Sequence, residues 1–232
     1  MTTPSIPTYS AHGAAIPALG FGTSPMTGAI EADTILAALK AGYRHIDTAR
    51  KYGSERAVGE AMRASGVPRA DIFLTTKVSH EYLRTDDFAR SVDESLKALK
   101  VEYVDLLMVH WPNPEIPLAE TMNALAKAKR QGLARHVGVA NFNIALLDQA
   151  IKLCPEPLVA LQAEYHPYLD QTKLLAAART RQIMRGSHAL VRAKNRASVL
   201  SLREIAAGKV HFNRPSHEVV EEWIDAAVKR DP

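Results

Sequence analysis

A chain of 232 residues with 47% apolar and 23% charged content is long enough to bury one substantial core. Its one cysteine, Cys154, excludes an intrachain disulfide and any multi-cysteine metal centre. The net charge of +4 is unevenly spread: Arg179 to Arg196 carries six basic side chains and no acid, while the rest is close to balanced. With no docking motif beside that run, a nucleic-acid partner is not expected.

The polar start MTTPSIPTYSAHG lacks the apolar stretch of a signal peptide, and no segment reaches the length of a membrane span. A cytoplasmic protein without a membrane partner is the expectation. Tyr9–Ile16, with His12-Gly13 at its middle, reads as a hairpin. Short apolar or β-branched runs follow at Ile16–Gly22, Tyr43–Asp47, Ile72–Val78, Val104–His110, His136–Asn141 and Leu158–Glu164. Helical periodicity fills the gaps. Ile35, Leu36 and Leu39 form a stripe that Gly42 can end, and Thr85 can cap a helix carrying Phe88, Val92, Leu96 and Leu99. Gly66 and Gly132 close two more helices, and another begins after Asn143.

Strand–helix units at a spacing of roughly 30 residues imply parallel strands joined by right-handed crossovers. The first strand–helix junction, GFGTSPMTG, lacks the spaced glycines and following acid of a dinucleotide fingerprint, so a barrel is preferred to a doubly wound sheet. The hairpin then serves to plug the barrel floor. Beyond Ala178 the pattern weakens. Arg179–Arg196 shows no clear strand, and Val199–Ala207 and Glu218–Val228 look helical. The expectation is an α/β chain of the (β/α)8 TIM-barrel type, incomplete, with six strand–helix units, an N-terminal hairpin and an irregular C-terminal segment. It forms one domain over 1–232, of which 179–232 is a divergent basic tail. A monomer is expected, with a dimer as the way to cover the gap of an unfinished barrel.

The chemistry gathers where strands end, the active-site face of such barrels. Asp47 closes one strand in GYRHIDTA, Tyr52 follows in the loop, and Glu55 lies just beyond. Alone, each fits a structural role, as most loop Asp and Tyr do. Lys77 in the next apolar strand changes the balance, because a lysine entering the barrel needs a counter-charge, and Asp47 on the neighbouring strand can supply it. His110 ends the strand after that. Such a set suits carbonyl reduction, which needs hydride on carbon and a proton on oxygen. A phenol, with an ordinary pKa of about 10, becomes a useful acid beside an ammonium. Tyr52 would be that acid, Lys77 the ammonium, Asp47 its anchor and His110 a donor to the substrate oxygen.

GYRHIDTARKYGSE, followed by LTTKV and LLMVHWP, resembles the aldo-keto reductase family, and within it the bacterial 2,5-diketo-gluconate reductases. Gly20-Phe21-Gly22-Thr23, Val137 to Phe142 and Leu161 to Pro167 extend the likeness, which covers residues 6 to about 178. The resemblance implies a catalytic set of Asp47, Tyr52, Lys77 and His110, and an NADPH cofactor, with NADH also open. It places Thr23 and Asp47 along that cofactor, Asn141 and Gln162 at its carboxamide, and His110 and Trp111 at a small carbonyl substrate. No metal is implied. Departures are Ala140 where many relatives have Ser, Ser24 where many mammalian members have a tryptophan, and the absence of the seventh-strand and 2′-phosphate blocks. Ala189 to Lys194 is a weak echo of a Pro-Leu-x-Arg-Gly-Lys run. These departures support an alternative, a catalytically defective relative acting as a nucleotide- or partner-binding module. An aldolase-like use of Lys77 as Schiff base is disfavoured, since an Asp partner holds a lysine protonated.

Overall fold

The computed structural model of the chain describes residues 6–24, 30–164 and 170–188. Strands β1 (Thr8–Ala11) and β2 (Ala14–Pro17) form the hairpin, paired antiparallel from Thr8↔Pro17 to Ala11↔Ala14. Its turn residues His12 and Gly13 have φ of 46° and 84°, the left-handed pair that a two-residue type I′ turn demands. Ile16 and Pro17 belong to this hairpin and not to the first barrel strand, as the apolar run had suggested. The reason is burial: Ile16 is fully enclosed, on the same face as Ala14.

Six strand–helix units then follow. They are β3 (Phe21–Gly22) and α1 (Ile30–Lys40), β4 (His45–Asp47) and α2 (Glu55–Ser65), and β5 (Phe73–Val78) and α3 (Thr85–Leu99). Next come β6 (Val104–Val109) and α4 (Leu118–Arg130), β7 (Ala134–Ala140) and α5 (Ile144–Leu153), and β8 (Leu158–Glu164) and α6 (Thr172–Thr180). A last strand, β9 (Met184–His188), pairs with β8 from Ala160↔Met184 to Glu164↔His188.

All neighbours from β3 to β9 are parallel and stand in chain order. A doubly wound sheet would reverse direction at a switch point. Unbroken order instead sets every right-handed crossover helix on one face, which is barrel winding. Strand β9 corrects the reading of Arg179–Arg196 as strandless. Met-Arg-Gly-Ser-His has neither alternation nor a β-branched residue, so only the ladder offered by β8 makes it a strand. The described sheet therefore has seven parallel strands, one more than the sequence pattern reveals, and the regular fold runs on to His188 instead of stopping at 178. The helices expected at Val199–Ala207 and Glu218–Val228, and the echo at Ala189 to Lys194, lie outside the described residues.

Two apolar layers hold the sheet. Outside it, Ile46, Leu74, Leu107, Val109, Val139 and Leu161 pack against helix residues such as Phe88, Val92, Leu99, Met122, Leu125 and Leu147. Inside, the hairpin residues Ala11, Ala14 and Ile16 close over Leu106, Met108, Ala140, Val159 and Ala160, which makes the hairpin a plug. Residues of β5 show the division: Leu74 faces the helices, while Thr75 and Lys77 face inward. Asn143 caps α5 by accepting from the Leu146 amide at 2.8 Å. Thr85 is the first residue of α3 and not its cap. Its amide and hydroxyl reach Glu120 Oε1 at 2.9 and 3.3 Å, so a carboxylate from α4 satisfies that helix start. Among the described residues no helix is long and apolar enough to cross a membrane.

Candidate active site

The carboxyl ends of β4, β5, β6, β7 and β8 deliver Asp47, Lys77, His110, Asn141 and Gln162 to one edge of the sheet. Parallel register enforces this: Asp47 pairs with Thr75, Lys77 with Met108 and Ala140 with Gln162. The ladder continues one step further, the His110 amide donating to Val78 O at 2.9 Å and the Asn141 amide to Gln162 O at 2.8 Å.

Lys77 is 1% exposed, so its ammonium must be paired. It donates to Asp47 Oδ1 and, at 3.0 Å, to the carbonyl of Thr48. The second Asp47 oxygen accepts from Gln162 Nε2. Burial pushes the Asp47 carboxyl up, but the Lys77 charge, the nearby His45, and the hydrogen bonds from Lys77 and Gln162 outweigh it and leave the group below its ordinary value. The carboxylate is thus an acceptor on both oxygens, which fixes the Gln162 amide with nitrogen toward Asp47. Its Oε1 is then buried and accepts no hydrogen bond from the described protein groups.

Tyr52 sits in a 3-10 turn, Arg50–Tyr52, between β4 and α2. The Lys77 nitrogen lies 5.2 Å from the centre of its ring. The phenol oxygen stands 3.5 Å from His110 Nε2, a long contact, with the two rings edge to face at 5.5 Å. Asn141, held at φ 63°, donates Nδ2 to the His110 carbonyl at 2.8 Å and so ties β7 to the end of β6. Trp111 is 52% exposed on the same loop as His110. The structure therefore brings Asp47, Tyr52, Lys77, His110, Asn141 and Gln162 together.

Thr23 stands differently. Its side chain is wholly buried, and its hydroxyl is engaged with Thr48 Oγ1 at 3.0 Å and Ser54 Oγ at 2.9 Å. Only its main chain remains for other uses. Thr48, Ser54 and Thr76 were not singled out by sequence reasoning. The available signal was three small hydroxyl residues, Thr48 just past β4, Ser54 just before α2 and Thr76 within β5, and such residues are common at all three kinds of position.

Behind the site, the Glu55 carboxylate is buried and accepts from Thr76 Oγ1 at 2.6 Å, with Ser95 beside it. Burial raises this carboxyl; the hydroxyls of Thr76 and Ser95 and the Arg50 charge only partly oppose it. A raised native value means that its stabilising contribution is full below the unfolded value and lost as pH rises through the native one. Glu55→Gln should therefore melt close to the parent in acid and progressively above it as the medium is brought to pH 8. Parallel thermal melts across that range check this.

Residues 18–185 match the model of the Aldo/keto reductase family. Methylglyoxal reductase DkgB of Escherichia coli O157:H7 is 43% identical over 168 residues, 71% of this chain and 63% of that protein. The chain thus spans under two thirds of that relative's length. Among solved structures, a candidate 2,5-diketo-D-gluconic acid reductase B superposes with a TM-score of 0.78 at 43% identity, over 87% of this chain and 76% of that one. A Bombyx mori aldo-keto reductase in complex with NADP superposes at 0.75 with 30% identity, over 81% of this chain and 67% of that one. With the barrel winding and the strand-end residues above, these likenesses establish that the chain belongs to the aldo/keto reductase family.

Proposed function

We propose that this chain reduces the carbonyl group of small aldehydes and ketones, using hydride from NADPH and a proton from Tyr52. One observation carries the reading: the Lys77 ammonium, clamped between Asp47 and the Thr48 carbonyl, lies 5.2 Å from the ring centre of Tyr52, and the phenol oxygen faces His110 at 3.5 Å.

Asp47 fixes the charge and place of Lys77 through a buried ion pair. Lys77 stabilises negative charge on the phenol oxygen when Tyr52 releases its proton to the carbonyl oxygen. His110 donates to that same oxygen and orients it, with Asn141 bracing the backbone of His110. Trp111, exposed at the rim, covers the apolar side of the substrate. NADPH fits the residues present: the buried Gln162 Oε1 is an acceptor in want of a donor, and a carboxamide offers one. Gln162 and Asn141 would hold that amide, Asp47 and the main chain of Thr23 would lie along the cofactor, and the bound nicotinamide would supply hydride. The Bombyx mori relative holds NADP, which supports NADPH as the form used. A cytoplasmic setting and a monomer accompany this reading.

Small polar carbonyl compounds are the substrate class to try, methylglyoxal first, since the Escherichia coli relative carries that substrate in its name. Titrating the purified chain with NADPH and following its fluorescence should give micromolar binding. Adding methylglyoxal should then consume the nucleotide. Absence of binding would favour the defective module.

A further inference from the structure

We infer that Thr23, Thr48 and Ser54 form a closed ring of buried hydroxyls that staples the Tyr52 loop and so sets the phenol against Lys77. This rests on the proposed reduction for its catalytic consequence, though not for the staple itself.

The geometry is a triangle. Thr23 Oγ1 lies 3.0 Å from Thr48 Oγ1 and 2.9 Å from Ser54 Oγ, and Thr48 Oγ1 lies 3.1 Å from Ser54 Oγ. All three residues are 0% exposed. Each hydroxyl has one proton to give, and the triangle has three edges. Thr23 donating to Thr48, Thr48 to Ser54 and Ser54 to Thr23 uses every donor once and leaves none unsatisfied. Removing one member takes away two of the three edges and leaves the proton of another without its acceptor in a site closed to solvent.

A second observation says the ring is more than incidental packing. Ser54 precedes α2, the position where a serine normally caps the first turn with its hydroxyl. Here it makes no cap bond, and the hydroxyl turns to the two threonines instead. A local stabilisation is given up for a tertiary one.

The ring joins the two halves of the site through Thr48. The carbonyl of Thr48 accepts from Lys77 Nζ at 3.0 Å, and its hydroxyl meets Ser54, six residues on. The intervening loop carries Tyr52, held otherwise by the Tyr52 amide to Ala49 O at 3.0 Å and the Gly53 amide to Arg50 O at 3.1 Å. Thr23 adds the neighbouring strand end, its amide donating to Asp47 O at 3.0 Å. The ammonium and the phenol are thus both referred to one residue. These three are positioning residues, acting through Tyr52 and Lys77.

The test uses the full chain with Ser54→Ala and Thr48→Val, and with Ser54→Thr as the variant that keeps a hydroxyl. Hydrogen exchange of the apoprotein should show the Tyr52 and Gly53 amides exchanging about tenfold faster or more in the first two variants, and near the parent rate in Ser54→Thr. With NADPH and methylglyoxal, kcat should fall on the order of tenfold to a hundredfold while KM moves little. In a Lys77→Met background, Ser54→Ala should add almost nothing to the loss, because the distance it sets no longer matters. Unchanged exchange in both variants would overturn the staple. Faster exchange with kcat kept would overturn the positioning role. A parent protein that neither binds NADPH nor turns over would defeat the proposed reaction, leaving the exchange data to decide the staple separately.

Discussion

Tyr52→Phe should lower kcat by about two to four orders of magnitude, the range expected when a positioned proton donor is lost. The NADPH dissociation constant and the melting temperature should stay near those of the parent. The reasoning is local. Among the described residues the phenol oxygen has one hydrogen-bonding contact, the long 3.5 Å one to His110 Nε2, so its removal gives up little native hydrogen bonding. The ring, which packs edge to face on His110 and under the Lys77 charge, is retained. Stopped-time assays with methylglyoxal, beside a nucleotide titration and a melt, separate these effects. A variant that kept its kcat would leave the proton to another group and remove the central assignment.

Lys77→Met is the largest expected loss of stability. It leaves the largely buried Asp47 carboxylate with Gln162 as its remaining side-chain donor among the described residues, and breaking one side of a buried pair costs about 3 kcal/mol or more at neutral pH. The pH dependence has a definite sign. In the parent, Asp47 titrates below its ordinary value, so the pair contributes fully above the unfolded carboxylate value and loses that contribution as pH falls through the native one. In the variant, burial acts without the ammonium, so the same carboxyl titrates higher than in the parent. Acidification then relieves the variant while it weakens the parent. Denaturant melts at neutral pH and near pH 4 should show the stability gap narrowing. A gap that stayed constant would mean that Asp47 does not feel Lys77.

Much of the site was legible because chemistry constrains residue type at strand ends. A lysine in the apolar run LTTKV has few ways to be buried, and Asp47 on the adjoining strand is the one that the register provides. The hairpin was equally legible from His12-Gly13, since few other residues tolerate that turn. What stayed hidden depends on partners far along the chain. Thr48 and Ser54 read as common loop residues, and nothing in their neighbourhood announces Thr23, 25 and 31 residues earlier. Thr85 looked like a cap because Thr often is one, while the true partner, Glu120, comes from another helix.

The amino-acid order alone determined the winding, the plug and the identity of the charged and aromatic groups at the mouth, because hydrophobic period, turn residues and uncompensated charge are local properties. Only the folded chain decided that Met184–His188 is a strand, that Thr23 spends its hydroxyl inward, and that Gln162 keeps one acceptor open among the described residues. Each of those outcomes is a hydrogen bond made or withheld between distant segments, and a linear pattern does not encode which distant groups will meet.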